Sequence, residues 1–102
     1  MSQASIESLS PGVLCLCGDI DFTSGPSLRE QGGKLIAASQ STQVVVNCAK
    51  IERSSSVGLS LLLAFMRDAQ AAGKSILVRD MPKELHELAR VSGLLDILPI
   101  EA

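Results

Sequence analysis

The sequence predicts a single α/β domain built on a mixed, mostly parallel sheet, with an N-terminal hairpin and about three helices. Short apolar runs alternate with amphipathic helical patterns along the chain, an order that implies parallel strands joined by right-handed crossovers. The first two runs are separated by Ser10-Pro11-Gly12, a tight-turn sequence that favours an antiparallel hairpin. The length of 102 residues and the hydrophobic content of 46% are typical of one packed globular domain.

Strands are predicted at the short apolar runs. These runs are residues 6–9, 13–17, 44–46 and 75–78. The second and third lack strict alternation, which indicates strands that are covered on both faces. The tail at residues 94–100 is a candidate for a short final strand, and Pro99 favours either an edge position or an irregular end for it.

Three helices are predicted between and after these strands. Thr23, Ser24 and Pro26 form a typical helix start, in which a hydroxyl cap precedes a proline in the first turn. The second helix is predicted from about residue 56 to residue 72, and Gly73 ends it. The third is predicted to open at Pro82 and to close at Ser92-Gly93. The residues expected to face the core from the first and third helices are Leu28, Gly32, Leu35, Ile36, Ser39, Leu85, Leu88 and Ala89.

The second helix is predicted to carry apolar residues on two opposite faces. The inward face is expected to hold Leu59, Leu62, Met66 and Ala69, with Leu63 and Phe65 at its margins. The outward face is expected to hold Val57, Ser60, Leu61, Ala64, Asp68 and Ala71. A solvated helix face is mainly charged, so this small apolar face favours docking of another protein. The predicted partner-binding residues are Ser54, Ser55, Ser56, Val57, Ser60, Leu61, Ala64, Arg67 and Asp68.

Three consecutive serines precede this helix. Ser55 or Ser56 is predicted to cap it, because a hydroxyl oxygen there accepts a hydrogen bond from an otherwise unpaired amide. The same position suits a regulatory phosphate, which would meet the positive end of the helix dipole and add about −2 charge to the docking surface.

The composition argues against a nucleic-acid or membrane partner. The chain has a net charge of −2 and no Trp or Tyr. It therefore lacks the excess of basic residues and the aromatic stacking platforms that are typical of nucleic-acid binders. The longest apolar run, residues 61–66, is about a third of the ~20 residues that a membrane-spanning helix needs. No basic segment followed by an apolar stretch opens the sequence, so we expect a cytoplasmic protein with reduced thiols.

No catalytic site is predicted. The glycine motifs that cradle nucleotides are absent, and His86 lies in a charged stretch that indicates a solvated helix surface. Asp19 and Asp21 are explained by loop solvation and by the preference of helix starts for acidic groups. A small hydrolase using one of the serines is the catalytic alternative, and it is disfavoured because no base is placed near a nucleophile.

The cysteines do not form a predicted metal site, and no cofactor is expected. Cys15 and Cys17 form a C-x-C on one strand face, but Cys48 and His86 are distant in sequence, whereas tetrahedral zinc requires paired ligand clusters. We therefore interpret the three cysteines as small buried hydrophobes.

Several segments resemble the STAS domain family. The strand at residues 44–47, followed after a loop by residues 55–62, is similar to the strand and Asp-Ser-x-Gly-Leu helix start of that family. Residues 18–22 are similar to its Gly-Glu-Leu-Asp segment, and residues 89–94 match the usual end of its last helix. The resemblance covers nearly the whole chain, so residues 1–102 are expected to form one STAS domain.

The resemblance implies a non-enzymatic partner-binding protein. The ending at residues 94–99 and Asp21-Phe22 ahead of the first helix look most like the small subunit of Mla-type phospholipid-transport ABC complexes. That resemblance implies a cytoplasmic subunit, peripheral to the inner membrane, which binds and supports an ABC ATPase and maintains outer-membrane lipid asymmetry. The alternative within the family is an anti-sigma factor antagonist that is phosphorylated on its signature serine, here Ser56.

The signature departs from the family pattern at three positions. Ser55 stands where the family usually has Asp, Asn47 replaces another Asp, and Ala49 replaces a Ser. The lost acid beside Ser56 weakens the expectation of a phosphorylation switch but leaves the docking helix intact, which favours the transporter interpretation.

Overall fold

The computed structural model describes residues 3–101, which form a four-stranded sheet with three helices. The strands lie in the order β1-β2-β3-β4, with β1 antiparallel to β2 and the other neighbours parallel. This confirms the predicted fold class. In chain order the elements are β1 Ser5–Ser10, β2 Val13–Ile20, α1 Gly25–Ala38, β3 Gln43–Ser54, α2 Val57–Ala71, β4 Ser75–Arg79 and α3 Lys83–Val91.

The core lies on one face of the sheet. Alternate strand residues such as Leu16 and Val46 pack in one cluster with buried residues of all three helices. Among the described residues, Cys15 and Val45 are the buried hydrophobic residues that lie outside this cluster. Side chains alternate between the faces of a strand, so Cys15 and Val45 belong to the opposite face. The prediction that both faces of β2 and β3 are covered is therefore wrong beyond Cys15 and Val45: the helices cover one face, and the other residues of the second face are half-buried or exposed.

Strand β3 is much longer than the predicted run at residues 44–46. It continues through residues 50–53, within the interval between residues 47 and 55 where a loop was expected, because these residues pair with the second half of β2. Cys17 lies opposite Lys50, and Asp19 lies opposite Arg53. In this half Ile51 alone is buried, so pairing rather than an apolar pattern determines the strand.

The predicted turns and helix ends are confirmed at glycines with positive φ. Gly12 has φ 76° in the hairpin, and Gly73 has φ 72° after α2, values that glycine adopts without steric cost. The predicted final strand is reduced to a single parallel bridge between Val78 and Ile100. Among residues 3–101, no helix has the length and apolar character needed to cross a membrane.

Lys74 fixes the C-terminal end of α1. Its ammonium donates hydrogen bonds to the carbonyls of Ile36 at 2.6 Å, Ala37 at 3.3 Å and Ser39. Helix C-termini leave their last carbonyls unpaired and carry partial negative charge, so a cation supplied by the α2–β4 connection satisfies both. The contact links α1 to the segment that follows α2.

Helices α1 and α2 approach each other closely at Gly32. A Cβ atom at Gly32 would overlap the ring of Phe65 and would lie 3.2 Å from Cδ1 of Ile6. Phe65, predicted at the margin of its helix face, is instead fully buried, because α1 covers the side of α2 that the helical wheel left at the edge. The glycine therefore determines how closely the two helices pack.

Replacing Gly32 with Ala is expected to destabilise the fold, whereas the same change at the neighbouring Gly33 is not. In a helix interior, alanine is more favourable than glycine by about 1 kcal/mol. At Gly32, however, the added methyl group overpacks against Phe65, which costs about 1–3 kcal/mol. At Gly33 the new methyl meets only the ends of two flexible side chains, with Asp68 Oδ2 at 3.1 Å. Urea unfolding of both variants measures the difference, and equal free energies of unfolding would contradict the close-packing account.

Candidate functional site

The start of α2 is joined to the end of β2 through Ser55. The Ser55 hydroxyl accepts a hydrogen bond from the Val57 amide at 3.2 Å and donates to the carbonyl of Ile20 at 3.4 Å. The Ser55 amide donates to the same carbonyl at 3.0 Å. Ser56 occupies the N-cap position, but its side chain makes no capping hydrogen bond. Of the two predicted capping serines, Ser55 therefore satisfies a first-turn amide, and Ser56 remains exposed.

Gly58 lets this turn fold back tightly on the helix. A Cβ atom at Gly58 would overlap the hydroxyl of Ser54 and would lie 3.3 Å from Cδ1 of Leu85 in α3. The Ser54 hydroxyl itself donates to the Ser55 carbonyl at 2.9 Å. Ser54 is thus half-buried beneath the helix start, while Ser55 and Ser56 face outward.

The start of α1 is organised by Asp21. Its carboxylate accepts hydrogen bonds from the amides of Thr23 at 2.9 Å and Ser24 at 3.1 Å and from the Thr23 hydroxyl. The bond from the Thr23 hydroxyl, followed by the amide bonds, holds the pKa of Asp21 below its usual value. The carboxylate therefore orders the turn ahead of α1, and the predicted hydroxyl cap is not formed, because the N-cap residue Ser24 makes no side-chain capping hydrogen bond. The Ser24 hydroxyl instead accepts a bond from the Asp21 amide at 3.0 Å.

An open groove of about 410 Å³ separates the starts of α1 and α2. The two helices come close at its base, where a Cβ atom at Gly25 would lie 2.9 Å from Cγ1 of Val57. Four predicted partner-binding residues line the α2 side, and the α1 side was not predicted. The lining residues are Phe22, Gly25, Pro26, Arg29, Val57, Ser60, Leu61 and Ala64.

The predicted outward placement of Leu61 is wrong. Leu61 is 4% exposed and packs in the core, although its side chain still lines the groove. The helical wheel assumed that α2 is buried on a single side. In the structure the sheet covers one side of α2 and α1 covers the adjacent side. Val57 and Ala64 are half-buried, and Ser60 is exposed, so the accessible part of the predicted face is narrower.

Phe22 is the main feature of this surface that the partner-site prediction missed. It is 80% exposed at the rim of the groove, although large apolar side chains are usually buried. Its sequence signal was present, because it is one of two aromatic residues in the chain and lies in a polar segment ahead of a helix. Apolar periodicity does not detect such a loop residue.

Arg29 continues the groove along the two helices. It forms an ion pair with Asp68 across the α1–α2 interface, and both residues also line a second open groove. The second groove is floored by small residues, among them Gly33 and Ala71. Asp68, a predicted partner-binding residue, is thus engaged within the chain. Arg67 is exposed on α2 and lines neither groove.

The paired carboxylates that the sequence singled out line a polar pocket on another side of α1. Asp19 and Asp21 share this pocket of about 400 Å³ with Ser24 and Gln31. Asp21 already accepts hydrogen bonds within its own turn, so its role there is structural. Within residues 3–101, no three His, Cys, Asp or Glu side chains cluster as a metal site. The groove between the starts of α1 and α2 instead offers apolar surface, with the ion-paired Arg29 at its edge, and such a surface suits a protein partner.

The chain matches a family model described as "Mlab, STAS domain" over residues 6–99. A chain of the Acinetobacter MlaFEDB complex in an ATP-bound conformation has a similar structure, with a TM-score of 0.77 and 18% identity, over 87% of this chain and 93% of that one.

Anti-sigma factor antagonists are similar as well. One from Mycobacterium paratuberculosis gives a TM-score of 0.77 with 22% identity, covering 98% of this chain and 85% of that one. The Bacillus cell fate determinant SpoIIAA in its phosphorylated form gives 0.66 with 17% identity, covering 98% and 92%. At such identities the structural similarities concern the fold, and the family assignment rests on the matching model. The chain therefore belongs to the STAS domain family, of the type that its family model describes as Mlab.

Proposed function

We propose that this chain is a non-enzymatic subunit of a phospholipid-transport ABC complex and that it binds the ATPase subunit through the groove between α1 and α2. The observation that supports this most directly is the exposure of Phe22 beside a ready-made apolar groove. The match to the Mlab family model and the fold similarity to the Acinetobacter MlaFEDB chain agree with the proposal.

The groove has the composition of a protein–protein contact. Aromatic and arginine side chains are enriched in interfaces and carry much of their binding free energy, and Phe22 and Arg29 supply one of each at the rim. Burying a phenylalanine side chain contributes about 1.5–3 kcal/mol. Val57 and Ala64 form a shallow apolar base of the groove. A partner side chain packs there without desolvating a charged group.

In this role the chain contributes binding free energy rather than chemistry. A subunit that binds one conformation of the ATPase more tightly than the other increases the population of the first. The equilibrium between the conformations shifts by the ratio of the subunit's affinities for them. The proposal places the chain in the cytoplasm, peripheral to the inner membrane through the complex. Neither membrane insertion nor nucleic-acid binding is part of it.

A second candidate function is that of an anti-sigma factor antagonist switched at Ser56. The observation that favours it is the Ser56 side chain, which is exposed at the start of α2 and makes no capping hydrogen bond. The fold similarity to phosphorylated SpoIIAA agrees with it. We prefer the transporter role because Ser55 lacks the carboxylate usual beside the family's phosphoacceptor, and because Phe22 and the groove suit constitutive docking.

Replacing Ser60 with Arg is expected to weaken binding to the ATPase subunit at least about tenfold, which corresponds to about 1.4 kcal/mol. Ser60 is exposed and lines the groove, so a long cation there obstructs the partner while arginine keeps the helix favourable. Gln70→Arg is the matched control, because Gln70 is an exposed residue of the same helix and lies outside the groove. Titration of each folded variant against the purified ATPase measures the dissociation constants.

Equal affinity of the Ser60→Arg and Gln70→Arg variants would overturn the docking proposal. Leu61 is unsuitable for this test because it is buried, so a charge there would unfold the domain. Phe22→Ala provides an independent check at a highly exposed position, and we expect it to weaken binding by about 2 kcal/mol, the threshold of a hot-spot residue.

The two candidate functions differ in what happens at Ser56. We expect the chain to remain unmodified when it is incubated with ATP and an anti-sigma factor kinase from the same organism, as measured by intact mass. Added phosphate that maps to Ser56 and disappears in the Ser56→Ala variant would instead support the antagonist role. A Ser54→Ala variant serves as the control for the neighbouring hydroxyl.

A further inference from the structure

Two cysteines lie in contact on the face of the sheet that the helices do not cover. The Sγ atoms of Cys15 and Cys17 are 3.0 Å apart. Residues two apart on a strand share one face, and Cys15 is buried outside the core cluster that contains the helices. The sequence predicted small buried hydrophobes on one strand face, whereas in the structure the two thiols are in contact and Cys17 is only half-buried.

The surroundings of the pair distinguish the two sulfurs. Cys15 is 3% exposed, whereas Cys17 is half-buried and reachable from solvent. Burial, followed by the hydrogen bond with Cys17, raises the pKa of the Cys15 thiol to about 11. Lys50 lies directly opposite Cys17 in the parallel register, and a nearby cation stabilises a thiolate. Cys17 is therefore the sulfur that an oxidant from solvent reaches first.

We propose that Cys15 and Cys17 form an oxidisable dithiol, which a hydroperoxide converts into a disulfide within strand β2. The modification rests on the contact between the two sulfurs, the accessibility of Cys17 and the position of Lys50. It is independent of the docking groove, because the pair lies on the opposite face of the sheet.

The reaction requires two steps. The Cys17 thiolate attacks one oxygen of the hydroperoxide, so that an S–O bond forms, the O–O bond breaks and hydroxide (or alkoxide) leaves and takes up a proton. The Cys15 sulfur then attacks the sulfenic sulfur of Cys17. The S–S bond forms, the S–O bond breaks, and the Cys15 proton leaves with the departing hydroxide as water. The two sulfurs together lose two electrons, and the peroxide is reduced to water or to water and an alcohol.

The geometry of a strand makes such a disulfide readily reversible. Two residues apart on a strand, the Cα atoms are separated by about 6.6 Å, from a rise of about 3.3 Å per residue. Disulfides usually join Cα atoms about 4.4–6.8 Å apart, so this bond lies near the upper limit. Strained and accessible disulfides are more easily reduced than structural ones and are typical of regulatory sites. Cellular thiols are therefore expected to restore the dithiol.

Cys48 provides an internal control. It is fully buried in the core beneath the helices, and burial raises its pKa to about 12. A thiol that remains protonated and inaccessible is a poor nucleophile. Peroxide treatment of the folded protein is therefore expected to leave Cys48 unmodified.

The test treats the folded full chain with hydrogen peroxide and measures its intact mass and alkylation pattern. We expect a mass loss of two hydrogen atoms, recovered with dithiothreitol, and a disulfide that links Cys15 to Cys17. The Cys48→Ser variant should behave identically. The Cys15→Ser variant should stop at a sulfenic acid on Cys17, which dimedone traps, and the Cys17→Ser variant should not be oxidised under the same conditions.

Three outcomes would overturn the proposal. One is that all three thiols remain free under peroxide conditions that fully oxidise a small-molecule dithiol. Another is overoxidation of Cys17 while Cys15 remains alkylatable, which would show that the two sulfurs do not react together. The third is a disulfide between two copies of the chain, seen on a non-reducing gel. None of these results affects the docking proposal, whose variants lie on the other side of the sheet.

Discussion

The close approach of α1 to α2 is the constraint on which the functional surface depends. Gly32 leaves the space that the ring of Phe65 fills, and Gly25 lies against Val57 where the two helices begin. Lys74 holds the far end of α1 by bonding to its last carbonyls. Because the helices pack this closely, they leave a shallow groove along their junction rather than a cleft. A wider separation of the two helices would expose core residues instead of a docking surface.

The sequence was sufficient to predict the fold class, the three helices and the four α2 residues that line the groove, because apolar periodicity reports where an amphipathic element lies and which of its faces is apolar. It could not predict the contributions of α1, because the contact between Gly32 and Phe65 depends on the packing of two elements distant in sequence. The same reason accounts for the buried position of Leu61 and for the capping of α1 by Lys74. Pairing with β2 extended β3 and placed Cys17 beside Lys50. Neither result can be predicted from the pattern of one segment alone.

The two faces of the domain suit different chemistry. The helical face combines apolar surface with Arg29 and an exposed Phe22, so its proposed role is association. The opposite face carries the dithiol of Cys15 and Cys17 on a strand, so its proposed role is reversible covalent modification. The sheet and its core separate these faces, and oxidation of one is therefore expected to leave the binding affinity of the other unchanged.

Hydroxyl-radical footprinting of Phe22 tests the central claim most directly. Phe22 and Phe65 are the two aromatic residues of the chain; the first is 80% exposed and the second is fully buried, so Phe65 reports whether the fold stays intact. Exposed Val91 on α3 monitors a surface outside the groove. The account predicts that adding the ATPase subunit suppresses oxidation of Phe22 while Val91 remains reactive and Phe65 unreactive. Unchanged oxidation of Phe22 in the assembled complex would contradict it.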